Sequence, residues 1–146
     1  MPGCGNSDLS QKICTKLGIT NLAIESVDYE EQVIKKMEEE KPKDLKMSFK
    51  VGDCTDLSPV YKDGSLFNFA VDKGTLDAIA VDATEETVKK CNAYFNEMVR
   101  VLDDKNGMLM IVSLLQPHVL KIIMDFFLLE NDVSKYQKQN LFQIKI

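Results

Sequence analysis

Near the start of the chain, Gly3-Cys4-Gly5-Asn6-Ser7 sets two glycines directly before a helix-forming segment. Glycine lets the backbone pass close to a bound ligand, and the start of a helix presents unpaired N–H groups. The third glycine of the dinucleotide fingerprint is absent, because Asp8 stands in its place, and a purely structural turn is the competing reading. Asp28 ends the next strand-like segment, where a carboxylate can accept hydrogen bonds from both hydroxyls of a ribose; a helix N-cap is the alternative from position alone. Asp53 follows a later strand-like segment in the same way and with Cys54 can border an adenine edge, while Asp56 two residues on makes a plain turn the alternative. The run Asp72-Lys73-Gly74-Thr75-Leu76-Asp77 puts two carboxylates, an ammonium and a flexible glycine behind a strand, and reads as functional ahead of a simple loop.

These residues need elements to hold them. Leu9, Ile13 and Leu17 recur at four-residue spacing, so residues 6–17 read as a helix with a polar start at Asn6 and Ser7 and a stop at Gly18. Residues 21–28 read as a short buried strand. Asp28 and Glu31 have capping-box spacing before a helix that runs to about Glu40. Residues 47–52 alternate as a strand, and 66–71 form another behind the turn signal Asp63-Gly64. Asp82 with Glu85 predicts a cap for a helix whose apolar face is Val88, Cys91, Phe95, Met98, Val99 and Leu102. Asn106-Gly107 turns the chain into residues 108–114, a nearly continuous apolar run that suits a strand covered on both faces. Pro117 opens a last helix to about Leu129, and residues 141–146 close with an alternating strand. Strand alternating with helix predicts a parallel α/β sheet wound on both sides, whose ligands sit beyond the carboxyl ends of the strands.

Composition narrows the function classes. With 146 residues and 45% hydrophobic content, one core fits and a second does not. The net charge of −5 and the lack of a Lys/Arg block oppose nucleic-acid binding. Cys4, Cys14, Cys54 and Cys91 are far apart and there is a single histidine, so no metal site is predicted; free thiols in a reducing cytoplasm are the simpler account. No apolar stretch approaches ~18 residues, which excludes a membrane-spanning helix. The lone histidine, His118 beside Pro117, reads as a loop or cap residue ahead of a general base, and Met108 and Met110 as core.

The runs Gly3-Cys4-Gly5-Asn6-Ser7-Asp8-Leu9-Ser10, Val27-Asp28-Tyr29 and Asp72-Lys73-Gly74-Thr75-Leu76-Asp77-Ala78 resemble three motifs of the methyltransferase-like proteins that act on a lysine or the amino terminus of elongation factor 1-alpha. Arg100-Val101-Leu102, Ser113-Leu114 and Gln116-Pro117-His118 look like later landmarks of that family, in the same order. The resemblance implies a Rossmann-like class I fold and S-adenosylmethionine as cofactor. By position, Gly3 and Gly5 would admit its methionine portion, Asp28 would hold the ribose, Tyr29 would flank the adenine, and Asp53 and Cys54 would meet the adenine edge. Asp72 and Lys73 would lie near the transferring methyl group. In this reading Asp72 is the catalytic candidate, orienting a lysine amine of a protein substrate, and Asp77 caps the next turn.

Members of that family carry a strand immediately before the glycine motif, whereas Met1-Pro2 alone precede Gly3 here. The last strand of residues 141–146 resembles the sixth of seven. The expectation is therefore one domain over residues 1–146, shortened at both ends, with a mostly parallel twisted sheet lacking its first and last strands. A partner chain that completes the sheet is compatible with this. Two other readings are carried: a catalytically inactive interaction module of the same fold, and an NAD-binding oxidoreductase sharing the glycine turn and the ribose acid.

Overall fold

The computed structural model describes residues 1–17, 21–64 and 66–129. The predicted helix stop at Gly18 and the strand predicted over 141–146 lie outside them. The elements run α1 (Leu9–Lys16), β1 (Ile24–Asp28), α2 (Glu31–Glu40), β2 (Met47–Val51), β3 (Phe69–Lys73), α3 (Thr75–Ile79), α4 (Glu85–Val101), β4 (Met108–Val112) and α5 (Pro117–Met124), which continues as a π-helical turn, Asp125–Leu129. No helix among the described residues is long and apolar enough to cross a membrane.

The strands form two parallel pairs. β1 and β2 run in register from Ile24 opposite Met47 to Asp28 opposite Val51. β3 and β4 run from Phe69 opposite Met108 to Lys73 opposite Val112. Residues 1–4 bind the free side of β1: Pro2 bridges Val27, the Val27 N–H donates to the Met1 oxygen at 2.9 Å, and the Cys4 N–H donates to the Val27 oxygen at 3.1 Å. Thr75 Oγ1 then donates to the Pro2 oxygen at 3.0 Å, so this short segment also touches the start of α3 just beyond β3. Among the described residues β3 has one strand neighbour, β4. The two pairs therefore meet through residues 1–4.

Helix α4 carries the core. It buries Cys91, Tyr94, Phe95, Met98 and Val101, with Val88 and Leu102 packed on the same core, so the expected face holds except at Val99, which is half-buried outside that core, and gains Tyr94 and Val101. Phe95 packs on Phe126 and Phe127, with ring centroids 4.8 and 5.2 Å away. Each such buried side chain contributes about 1.5–3 kcal/mol of transfer free energy. A smaller cluster of Cys4, Ile34, Met47 and Phe49 joins the glycine run to α2 and β2.

Several local expectations are corrected. The α4 cap is Thr84, whose Oγ1 accepts from the Thr87 N–H at 3.3 Å; Asp82 instead accepts from the Thr84 N–H and hydroxyl, which holds the cap in place. The capping box at Asp28 does not form, since Glu30 is the N-cap of α2 and the Asp28 carboxylate is used elsewhere. β3 begins three residues later than the hydrophobic run suggests, because the Leu66 and Phe67 N–H groups both donate to the Val101 oxygen at the end of α4. Asp72 and Lys73 thus belong to the strand, and the run behind them is a helix. β4 is not covered on both faces: Met108, Met110 and Val112 are exposed, while Leu109 and Ile111 pack on the core. The helices that build this core lie against one side of the strand, so its apolar run is half solvent-facing.

Candidate active site

Both glycines of the opening run have left-handed backbone, with φ of +54° at Gly3 and +52° at Gly5. They are required for different reasons. A Cβ at Gly3 would lie 2.4 Å from Thr75 Oγ1, so the backbone there is pressed against α3, whereas a Cβ at Gly5 would meet nothing within 4 Å. Gly5 is the position with room beside it. Its N–H donates to Asp28 Oδ2 at 2.8 Å, and Asp28 Oδ1 accepts from the Glu30 N–H at 3.0 Å. One carboxylate at the end of β1 therefore closes the glycine turn and the entry to α2 together. Each oxygen keeps a further lone pair. Tyr29, the next residue, is 78% exposed.

The segment after β2 is exposed at Asp53 and half-buried at Cys54. Asp53 Oδ1 accepts from the Thr55 N–H at 2.8 Å and the Thr55 hydroxyl at 2.7 Å, so the turn reading also holds. Burial pushes the Cys54 thiol up to about 12, and the charges of Asp53, Asp72 and Asp28 act in the same direction. Cys54 thus sits within the field of carboxylates from three different strand ends. Its segment is tied to α4: Glu97 Oε2 accepts from the Leu57 N–H at 2.7 Å, and Arg100, bound to Glu97 at 2.6 Å, donates to the Tyr61 oxygen at 2.9 Å. Sequence reading misses this anchor, because Glu97 and Arg100 look like one more exposed helix pair.

Asp72 is wholly buried. Its Oδ1 accepts from the Thr75 N–H at 2.8 Å, and its Oδ2 from the Leu76 N–H at 3.0 Å and the Tyr94 hydroxyl at 2.6 Å. Burial raises its pKa, and these three donors act against that rise. The carboxylate is turned inward to hold the first turn of α3. Lys73, the next residue, faces outward and is exposed. Asp77 does not cap a turn of its own: it accepts from the Ser113 hydroxyl at 2.6 Å and the Leu114 N–H at 3.0 Å, bonds no sequence signal announces. His118 is the second residue of α5 and not the loop or cap residue expected, and its Nε2 lies 2.9 Å from the Ala80 oxygen.

Gly3, Gly5, Asp28, Cys54, Asp72 and Lys73 are thus drawn together at the carboxyl ends of β1, β2 and β3, with Tyr29 and Asp53 at the rim. This is an open edge. Two surface hollows lie elsewhere, one along α5 and one at the opposite end of β1 and β2 beside Lys43 and Lys46. No cluster of potential metal ligands occurs among the described residues.

The chain is similar to known proteins in sequence and in fold. Residues 2–142 match a family model described as a methyltransferase domain. The chain is 37% identical over 126 residues to the eEF1A lysine and N-terminal methyltransferase of Xenopus laevis, a stretch covering 86% of this chain and 17% of that protein. It is 37% identical over 120 residues to the protein of the same name in Homo sapiens, covering 82% and 16%, and 38% identical over 129 residues to a homolog in Drosophila pseudoobscura pseudoobscura, covering 86% and 18%. The chain therefore spans about one sixth of the length of these curated relatives. Among solved structures, the cyclase SpnF superposes with a TM-score of 0.56 at 16% identity, covering 75% of this chain and 36% of that one, which is a likeness of fold. With its glycine turn, its parallel strands and its match over nearly its whole length, the chain belongs to the methyltransferase domain family and has the class I α/β fold.

Proposed function

We propose that this chain binds S-adenosylmethionine and takes part in methyl transfer to a lysine amine of a protein, with elongation factor 1A as the acceptor. The observation that carries the reading is the Asp28 carboxylate, bonded to the Gly5 N–H at 2.8 Å and placed between an open glycine turn and the exposed Tyr29 ring. The remaining lone pairs of Asp28 suit two ribose hydroxyls, the space beside Gly5 suits the methionine portion, and Tyr29 offers a face for adenine. Asp53 and Cys54 border the same edge. The names of the relatives support the acceptor, and the four free thiols support a cytoplasmic setting.

When bound, S-adenosylmethionine supplies an electrophilic methyl carbon on a sulfonium leaving group. What the protein must add is chiefly alignment of a neutral amine, an advantage of proximity and orientation. A lysine amine of pKa near ~10.4 must first lose a proton, to a carboxylate or to water. Asp72, expected to orient the amine itself, is wholly buried with both oxygens engaged, so its part is that of a positioning residue that fixes the first turn of α3 behind Lys73.

Calorimetry with S-adenosylhomocysteine, S-adenosylmethionine and NAD tests the reading. The expected result is binding of the first two and no heat with NAD. Preference for NAD would favour the oxidoreductase reading, and binding of none by a folded sample would overturn the cofactor assignment.

A further inference from the structure

The segment after β4 is held to α3 by more polar contacts than a connection requires. Asp77 grips it with both oxygens, through the Ser113 hydroxyl and the Leu114 N–H. The Leu115 N–H donates to Ser113 Oγ at 2.8 Å. His118 adds a further link at the Ala80 oxygen. Inside this frame Leu115 has a φ of +51°, a left-handed conformation that a leucine rarely adopts. Strained backbone of this kind persists where its surroundings over-determine it, and it gathers at ligand-contacting sites.

What the strained turn achieves is the presentation of Leu114, which at 81% is the most exposed large hydrophobic side chain among the described residues. An exposed leucine alone needs no explanation. One held outward by a two-handed carboxylate and a left-handed neighbour does. Its location is also specific. Lys73 stands opposite Val112 in the β3–β4 register, and the Gly74 N–H donates to the Val112 oxygen at 3.0 Å, so the turn at 113–115 rises beside the Lys73-Gly74 lip.

We propose that Leu114 is an acceptor-specificity residue, packing on the methylene stem of the lysine to be methylated, and that Asp77 with Ser113 is the brace that positions it. A lysine buries its stem on apolar surface while its amine stays polar, which suits a leucine next to a charged lip. The proposal rests on the methyl-transfer reading above.

The test uses chain 1–146 as wild type, Leu114→Ser, Leu114→Met and Asp77→Asn. Affinity for immobilised elongation factor 1A is read by interferometry and affinity for S-adenosylhomocysteine by calorimetry. The expected result is a five- to tenfold loss of acceptor affinity in Leu114→Ser and Asp77→Asn, recovery in Leu114→Met, and cofactor-product affinity within twofold throughout. Acceptor affinity unchanged in Leu114→Ser overturns the contact, and joint loss of both ligands in Asp77→Asn overturns the brace. A wild-type chain that binds S-adenosylhomocysteine but not the acceptor overturns this proposal and leaves the cofactor reading standing. The reverse pattern, acceptor discrimination without S-adenosylhomocysteine binding, keeps Leu114 as an acceptor contact but removes the methyl-donor reading and with it the claim that the contacted lysine is the one methylated.

Discussion

The Tyr94 hydroxyl donates a 2.6 Å hydrogen bond to Asp72 Oδ2, joining the middle of α4 to the end of β3 where both side chains are wholly buried. A buried carboxylate survives only when its oxygens are satisfied. Removing one donor should therefore be felt throughout the site. Oδ2 keeps the Leu76 N–H, so Tyr94→Phe is expected to lower unfolding free energy by about 1.5–3 kcal/mol, the usual worth of a hydrogen bond to a charged group. An unchanged midpoint in urea would show that Asp72 does not depend on this bond.

Asp72→Asn keeps the shape but replaces one acceptor oxygen by a donor, which cannot serve the Leu76 N–H or the Tyr94 hydroxyl as before. α3 should loosen while Asp28 and the glycine turn remain intact. The expected outcome is S-adenosylhomocysteine affinity within about threefold of wild type and methyl transfer to elongation factor 1A reduced at least ~10-fold, about 1.4 kcal/mol in the barrier. Full transfer with intact cofactor binding would remove Asp72 from any part in the reaction.

Gly3→Ala and Gly5→Ala separate close contact from backbone conformation. Both place a Cβ on left-handed backbone, at a cost of about 1–2 kcal/mol. Only Gly3→Ala also drives a methyl into Thr75, at 2.4 Å from Oγ1. Thermal denaturation should show Gly3→Ala as the more damaging, with part of the loss recovered in the Gly3→Ala, Thr75→Ala double variant, because neighbouring sites are not additive. Equal effects at the two glycines would argue that residue 3 is not packed on α3 as described.

Asp28→Asn is expected to weaken S-adenosylhomocysteine binding at least ~10-fold, about 1.4 kcal/mol. The amide retains a single oxygen for the Gly5 and Glu30 N–H groups, leaving none for a ribose. Calorimetry on the folded variant measures it, and wild-type affinity would show that the ribose is held elsewhere.

Glu97 gives a pH dependence with a definite sign. The Arg100 guanidinium, and after it the Leu57 N–H, hold its carboxyl below the ordinary value of 4.5 against the opposing effect of burial. A carboxylate whose pKa is lowered on folding stabilises the native state fully above its unfolded pKa, and that contribution fades as pH falls through the lower folded value. Denaturant titrations should show the wild type losing stability below about pH 4.5 more steeply than Glu97→Gln. Parallel acid limbs would mean that this anchor of the Cys54 segment is not electrostatic.

Much of the site is legible in the chain because its geometry is local. The glycines must lie before a helix, and Asp28, Asp53 and Asp72 must fall at strand ends, since hydrophobic periodicity fixes where each strand stops to within a few residues. The β3 boundary shows the limit: Leu66 and Phe67 have strand composition, but their N–H groups are taken by Val101 at the end of a helix about thirty-five residues later in sequence. Periodicity carries no information about such a partner.

What the sequence by itself determined was the alternation of strand and helix, the apolar face of α4, and which residue types stand at the carboxyl edge. These follow from spacing and from the conformations open to each residue. The tertiary structure alone decided the use of the carboxylates. Asp72 turns inward because Tyr94 reaches it across the core, Asp77 spans to Ser113 and Leu114, and Asp28 closes on Gly5. Each of these partners is at least 22 residues away in the chain. A hydrogen bond is set by distance and direction in space, and these exist only once the helices have packed on the strands.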